Sequence, residues 1–315
     1  MRFLFLWLVV WCVQSVADAH LFVYHRFGDD RHPSTNISTE KLREQFTYFK
    51  ERGYKVVPLE DVVQRIHAKE AIPDTWVVLT IDDNYKSFYD NGLALFKEFG
   101  YPFTLFVYTG ATQRGYGDYA TWEQLHEIGK YGELAFHSHE HPNMTQLDDD
   151  ALKKDFETGM ALFEKHLGKK ARYFSYPYGE YDERVKAIAS SYDFEAIINQ
   201  NMGAVSHQSD LLNLDRSALG ENSNLGTLLS YRHLNAKWLA PKTYPKDSKL
   251  NTVEVEIQEK TKQAGLYITG LGWQEIPVEE GIIRYTVDQT LTHDRTRLIL
   301  SVGKKISTHI LIKDH

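Results

Sequence analysis

Between residues 21 and 199 the sequence repeats one arrangement, a short apolar run with strand character followed by a segment of helical period. LFVYH (21–25) leads into a helix with Leu42, Phe46 and Phe49 on one face, closed by Gly53, and YKVV (54–57) leads into Leu59, Val62, Val63 and Ile66. TWVVLTI (75–81), FTLFVY (103–108), ELAFH (133–137), ARYFSY (171–176) and FEAIIN (194–199) bring the strand candidates to seven. Regular alternation of this kind demands a parallel sheet with helices packed outside it, either a barrel or a doubly wound sheet.

The position of the polar residues separates those two options. His25 ends the first run, Asp82 and Asp83 follow the third, His137 and His141 end or follow the fifth, and Tyr178 follows the sixth. All stand at C-terminal strand ends, which a barrel gathers on one face and an open sheet spreads apart. The expected architecture is therefore α/β, a distorted (β/α)7-type barrel.

The alternation stops near WLAPKTYPKDSK (238–249), a polar, proline-interrupted stretch. Beyond it TVEVEIQ, LYITG, IIRYTVD, RLILSVG and HILIKD are short alternating segments between turn signals, the pattern of a small all-β, sandwich-like domain. The expected organisation is a leader at 1–19, the barrel at 20–238, a linker at 239–248 and the β-domain at 249–315.

The leader rests on MRFLFLWLVVWCVQSVADAH, with one basic residue, an apolar run too short to span a bilayer, and Ala17-Asp18-Ala19 as a small-x-small site cut after Ala19. No membrane span is expected once it is removed. Cys12, the sole cysteine, lies inside it, so the processed chain has no thiol and any metal site must use His and carboxylate ligands. Export without disulfides fits a bacterial periplasm, or secretion outright. A net charge of −7 without any basic block argues against nucleic acid as a partner.

Three histidines fall within ELAFHSHEHP (133–142), and His137 and His141, four apart, can reach one ion from a helical turn or tight loop. A His pair is weak alone and needs a third ligand. The adjacent carboxylates Asp82-Asp83, after a buried strand, would repel each other unless something positive lies nearby.

TIDDN (80–84), HSHEH (137–141) and SYPYG (175–179) together resemble, in order and spacing, the motifs TFDDG, H-[ST]-x-x-H and RxPYG of the polysaccharide deacetylases, the NodB-homology domain of carbohydrate esterase family 4. The resemblance covers roughly residues 21 to 216. It implies that Asp83, His137 and His141 bind a metal, zinc by expectation with cobalt or nickel also suited to His/Asp ligation. It further implies Asp82 as general base, the Tyr178 backbone N–H as oxyanion donor and Ser138 as a brace of the loop. His139 has no role in the family and reads as solvent-exposed.

Most of that family takes its general acid from an L-x-H motif, and neither His207 nor His233 sits in such a context. FVYHRF (22–27) instead places His25 at the end of the first strand, as in the periplasmic poly-N-acetylglucosamine deacetylases of permuted motif order, which the chain resembles more closely. His25 is the expected acid. Two positions depart from the motifs. Asn84 replaces a glycine but tolerates positive φ, and Ser175 replaces the arginine that tunes the base, for which Arg216 in NLDRSAL is the expected substitute. Tyr24, Tyr108 and Trp122 are candidates for a sugar groove.

The implied activity is metal-dependent removal of N-acetyl groups from an aminosugar polysaccharide of poly-N-acetylglucosamine type. An O-acetyl polysaccharide esterase and a non-catalytic polysaccharide-binding or assembly protein are the alternatives.

Overall fold

The computed structural model describes residues 18–313; the leader assigned to 1–19 therefore lies almost wholly outside the described residues. Its last two positions are part of the fold. Ala19 exchanges both backbone hydrogen bonds with Val205, and the buried Asp18 carboxylate accepts from the His233 N–H at 2.9 Å.

All seven strand candidates are strands: β1 (His20–Tyr24), β2 (Lys55–Val56), β3 (Trp76–Ile81), β4 (Thr104–Val107), β5 (Glu133–Phe136), β6 (Tyr173–Ser175) and β7 (Ala196–Ile198), joined by an eighth, β8 (Ser217–Ala218). Every pairing is parallel, in the order β8-β1-β3-β4-β5-β6-β7, with β2 alongside the first residues of β3. The sheet curls until its edges meet through residues 214–218, where Leu214 bridges Ile198 of β7 and β8 pairs with β1. Closure is this thin because β8 is only two residues long.

The two faces of the curl follow the period of two along each strand. Phe22, Tyr24, Leu79, Ile81, Leu105, Val107, Phe136 and Phe174 point outward and pack against the helices Thr39–Glu51, Leu93–Phe99, Trp122–Ile128 and Asp149–Leu167. Leu21, Val78, Phe106, Ala135, Tyr173, Ala196 and Ile198 point inward, over Leu59, Val62, Val63 and Ile66 of the helix that plugs one end. Continuing that parity beyond the apolar run puts His25, Asp82, His137 and Ser175 inside, at the other end.

The C-terminal domain is a sandwich of two sheets. One holds β9 (Arg232–His233), β12 (Gln263–Ile268), β13 (Gly272–Pro277), β15 (Arg295–Val302) and β16 (Lys305–Ile312), and the other holds β10 (Ala236–Ala240), β11 (Lys249–Ile257) and β14 (Ile282–Thr290). Val253, Val255, Leu266, Ile268, Ile283, Leu298 and Leu300 fill the space between them. The domain begins earlier than the boundary expected at 238, because β9 pairs with β16 and β10 with β11. Strand β10 ends against Pro241, and that proline-marked exit is what makes the stretch read as linker. The domains are joined by hydrogen bonds as well as by chain: Thr308 Oγ1 donates to the Met202 carbonyl at 2.7 Å.

Asp215, beside the closing residues, accepts from Asn199 Nδ2 at 3.0 Å. Burial pushes its carboxyl up to about 7, against the pull of Asn199 and Asn201. The folded state then holds a proton that an unfolded aspartate releases near pH ~3.9. Its stabilisation is complete below that value and is lost as the pH rises through about 7. Thermal melts of the wild type should fall in midpoint across this interval, and Asp215→Asn, which cannot ionise, should flatten that dependence; an unchanged slope in the variant would assign it to other groups.

Candidate active site

The inward-facing strand ends form the floor of a cleft of about 860 Å³ whose wall includes His25, Asp83, His137, His141 and Tyr178. Asp83 Oδ1 lies 2.9 Å from His141 Nε2 and 3.3 Å from His137 Nε2. All three ligand-capable atoms fall within 4.8 Å of one another. The Asp83 oxygen is buried, yet no hydrogen-bond donor is directed at it. A buried carboxylate oxygen facing two imidazole nitrogens without a hydrogen bond is what a cation between them would satisfy, so the donor set fits a divalent metal with open coordination positions.

The surroundings orient these ligands. His137 Nδ1–H donates to the Ser175 carbonyl at 2.7 Å, which leaves its Nε2 lone pair toward Asp83. Ser138 Oγ accepts from the His141 N–H at 2.9 Å, bracing the loop. Asp83, Asn84, Ser138, His141 and Tyr178 all have positive φ, so the backbone is strained at every turn that feeds the site. Asn84, at φ 43°, fills the glycine position and anchors it, its Oδ1 accepting from the Tyr108 N–H and its Nδ2 donating to Thr112 Oγ1.

Asp82 has no exposure and lies just beneath the floor, its Oδ2 3.9 Å from His137 Nε2. Arg216, equally buried, grips both of its oxygens at 2.8 and 2.7 Å and also donates to Thr80 Oγ1, Ser175 Oγ and the Asn199 carbonyl. Burial alone would push the Asp82 carboxyl up; Arg216, with His137 and His25, holds it below the usual carboxylate range. Burial likewise opposes Asp83, whose two imidazole neighbours keep it well below that range. His137 is pushed up by Asp82 and Asp83 against the effect of burial, whereas burial dominates at His25 and pushes it down.

The aromatic groove differs from expectation. Tyr24 is fully buried, its hydroxyl donating to Gln45 Oε1 at 2.6 Å, and Trp122 stacks on His166 at 4.3 Å away from the cleft. Only Tyr108 of the three lines it, joined by Tyr85 and Tyr119. His139 is tucked in beside Thr109 Oγ1 at 3.2 Å with a side chain only 14% exposed, because Asp155 accepts from the His139 and Glu140 N–H groups and folds the loop inward. Gln200, which donates to Asp82 at 3.2 Å, and Asp155 were not expected; the latter is an acidic residue on the buried face of a helix, and that misfit with the apolar pattern is its one trace in the sequence.

A second group, Asp29, His32 and Asp118, also has ligand-like spacing. Arg26 and Arg31 each bridge both of its carboxylates, which supplies the neutralising charge a metal would otherwise bring.

Fold and site together define a cleft, at the strand ends of a curled parallel sheet, whose Asp83, His137 and His141 have the spacing of a metal-ligand set. Residues 69–197 match the family model described as polysaccharide deacetylase. Among curated relatives, YxkH of Bacillus subtilis (strain 168), named for polysaccharide deacetylase activity, is 19% identical over 204 residues, 64% of this chain and 72% of that protein. Poly-beta-1,6-N-acetyl-D-glucosamine N-deacetylase of Escherichia coli (strain K12) is 31% identical over 118 residues, 33% of this chain and only 18% of that protein. The deacetylase PplD of Streptococcus pyogenes, solved in complex with acetate, shares the fold with a TM-score of 0.61 at 22% identity, covering 66% of this chain and 95% of that one.

Removing a ligand tests the triad. His137→Ala and Asp83→Asn should each abolish binding of one divalent ion per chain, measured by competition with a chromogenic chelator. Because bound metal must displace protons from imidazole, and His137 holds its proton above the ordinary value of about 6.5, affinity should begin to fall before the pH reaches that value from above. Affinity that is flat with pH would remove His137 from the ligand set.

Proposed function

We propose that the protein is a metal-dependent N-deacetylase acting on an aminosugar polysaccharide, with a poly-N-acetylglucosamine-like chain as the leading substrate. The observation that carries this reading is the convergence in one cleft of a metal-fitting triad and His25, with a buried aspartate clamped ionised by an arginine just beneath its floor. The family match and the Escherichia coli relative's named activity support it.

The triad would hold zinc, which supplies Lewis acidity toward water and the acyl carbonyl. Asp82, kept ionised by Arg216, takes the proton from the attacking water, on the side of the floor where its Oδ2 faces His137. The Tyr178 backbone N–H, in a strained turn against His141, donates to the developing oxyanion. His25 delivers a proton to the departing amine, the one group in an amide that cannot leave without it.

Arg216 stands in for the arginine missing at Ser175. Its guanidinium donates to that serine's hydroxyl and to Asp82 together, so a small residue at 175 leaves the volume the long side chain needs.

Acetate release from β-1,6- and β-1,4-linked N-acetylglucosamine oligomers tests the reading. Asp82→Asn should keep its metal and lose roughly 10²- to 10⁴-fold in turnover. His25→Ala should slow amide hydrolysis far more than hydrolysis of an activated acetate ester, whose leaving group needs no proton. Equal losses on both would make His25 a structural residue, and release from O-acetylated glycans alone would make the enzyme an esterase.

We further place the protein in the periplasm or outside the cell, behind a cleaved leader. The burial of Asp18 and Ala19 favours a cut after Ala17, where Ser15-Val16-Ala17 also gives a small-x-small site, over a cut after Ala19. Intact mass of the exported chain should therefore correspond to an N-terminal Asp18; an N-terminal His20 would mean that the fold tolerates loss of the Ala19 bridge.

A further inference from the structure

Arg295, the first residue of β15, belongs to the β-domain yet lines the cleft of the parallel domain. Among the described residues that line this cleft it is the only lysine or arginine. Its Nη1 stands 3.7 Å from Glu180 Oε1, one residue beyond the turn that carries Tyr178. That separation is too long for a hydrogen bond. Nε and Nη2 of Arg295, and Oε2 of Glu180, are buried and have no partner at all. A guanidinium so loosely held loses little by turning into the cleft, and it gains acceptors there if a ligand brings them.

Strand parity shows what lies next to it. Leu298 and Leu300 face the sandwich core, so Arg295, Arg297 and Ile299 face the opposite way. Ile299 pairs with Tyr267 on β12, and Tyr267 with Trp273 on β13, which sets all of these on one sheet face. On the β16 side the same face docks against the parallel domain through Thr308. On the β13 side it is uncovered: Trp273 is 55% exposed, and its ring packs beside Tyr267 at a centroid distance of 5.6 Å. The indole lies over Gly265, where a Cβ would sit at ordinary contact distance, 3.4 Å, from the Trp273 ring. More than half of the Trp273 surface stays open to solvent. Strand spacing puts Trp273 roughly 17 Å from Arg295 along this face.

We propose that the β-domain extends the cleft into a surface for the N-acetylated aminosugar chain, with Arg295 at its entrance and the Tyr267–Trp273 pair beyond it. The proposal rests on the deacetylase reading for the identity of its ligand. Arg295 donates to hydroxyl or carbonyl oxygens of sugar units next to the one being deacetylated, and the aromatic pair stacks on the apolar faces of units further along. Arg295 is then a positioning residue and Trp273 a chain-length sensor.

The full-length protein, with N-acetylglucosamine oligomers from dimer to hexamer as probes, provides the test. Wild type should show a KM that falls with chain length, and Trp273 fluorescence should change on adding hexamer. Arg295→Ala should raise KM for the hexamer about tenfold, more than for the dimer, with kcat largely kept. Trp273→Ala, at an exposed site where folding is not at stake, should weaken hexamer binding and reduce the chain-length dependence. A wild type indifferent to chain length, or variants that keep its full dependence, would overturn the proposal. If no oligomer releases acetate but hexamer still binds more tightly than dimer and both variants lose that preference, the surface stands and the deacetylase reading falls.

Discussion

One buried guanidinium ties the parallel domain together. Arg216 sits in the segment that joins the two edges of the curled sheet, and its five bonds reach three strand ends: Thr80 and Asp82 at the end of β3, Ser175 at the end of β6, and Asn199 just past β7. A guanidinium has five N–H donors, and here five acceptors surround it. Phe106, whose ring centroid lies 5.3 Å away, covers it from below. A buried pair of this kind is weak evidence for stability in itself, but removing one partner strands the other and costs about 3–5 kcal/mol. The closure of the sheet and the ionisation of Asp82 are consequently one interaction, and the cleft cannot keep its aspartate charged without also keeping its walls together.

The Asp83–His137–His141 triad depends on a different constraint, backbone strain. Asp83 must turn away from Asp82 at once so that adjacent carboxylates serve separate purposes, and it does so at φ 70°. Ser138 at φ 70° and His141 at φ 52° do the same for the histidine loop. Conformations of this kind cost of order 1–3 kcal/mol each and persist where surrounding bonds over-determine them. Those bonds are present: Asp155 fixes two N–H groups of the histidine loop, Ser138 a third, and Asn84 the turn after β3. The strain is concentrated where three side chains are aimed at one point.

What was legible in the sequence was what strand periodicity controls. Period two along β1, β3, β5 and β6 carries His25, Asp82, His137 and Ser175 to the inside, and the barrel-like curl gathers them, so the floor of the cleft could be read before any coordinates. Arg216 was reachable only because Ser175 left a charge to be supplied. The groove aromatics were not legible in this way. Tyr24 reads as a groove residue because it ends a strand, yet its position in the outward parity sends it to the helix layer and Gln45. Trp122 opens a helix whose inner face meets the neighbouring helix, and so it stacks on His166. The strands before residue 241 were not legible because β9 and β10 acquire their strand character from partners 14 to 73 residues away, which no local pattern records.

The β-domain bears on the cleft through that same distinction between local and distant order. A curled sheet with its ligands at strand ends is open above, and its rim must come from loops or from another domain. Here the rim near Tyr178 is completed by Arg295, held on a strand whose opposite face is locked into the sandwich core by Leu298 and Leu300. A side chain carried on such a strand is positioned more rigidly than one on a loop. The bonds of Asp18 to His233 and Thr308 to Met202 fix the second domain against the first along β9 and β16, on one side of that strand. The interface therefore does more than tether a separate module, since it sets the height at which a guanidinium meets the mouth of the site.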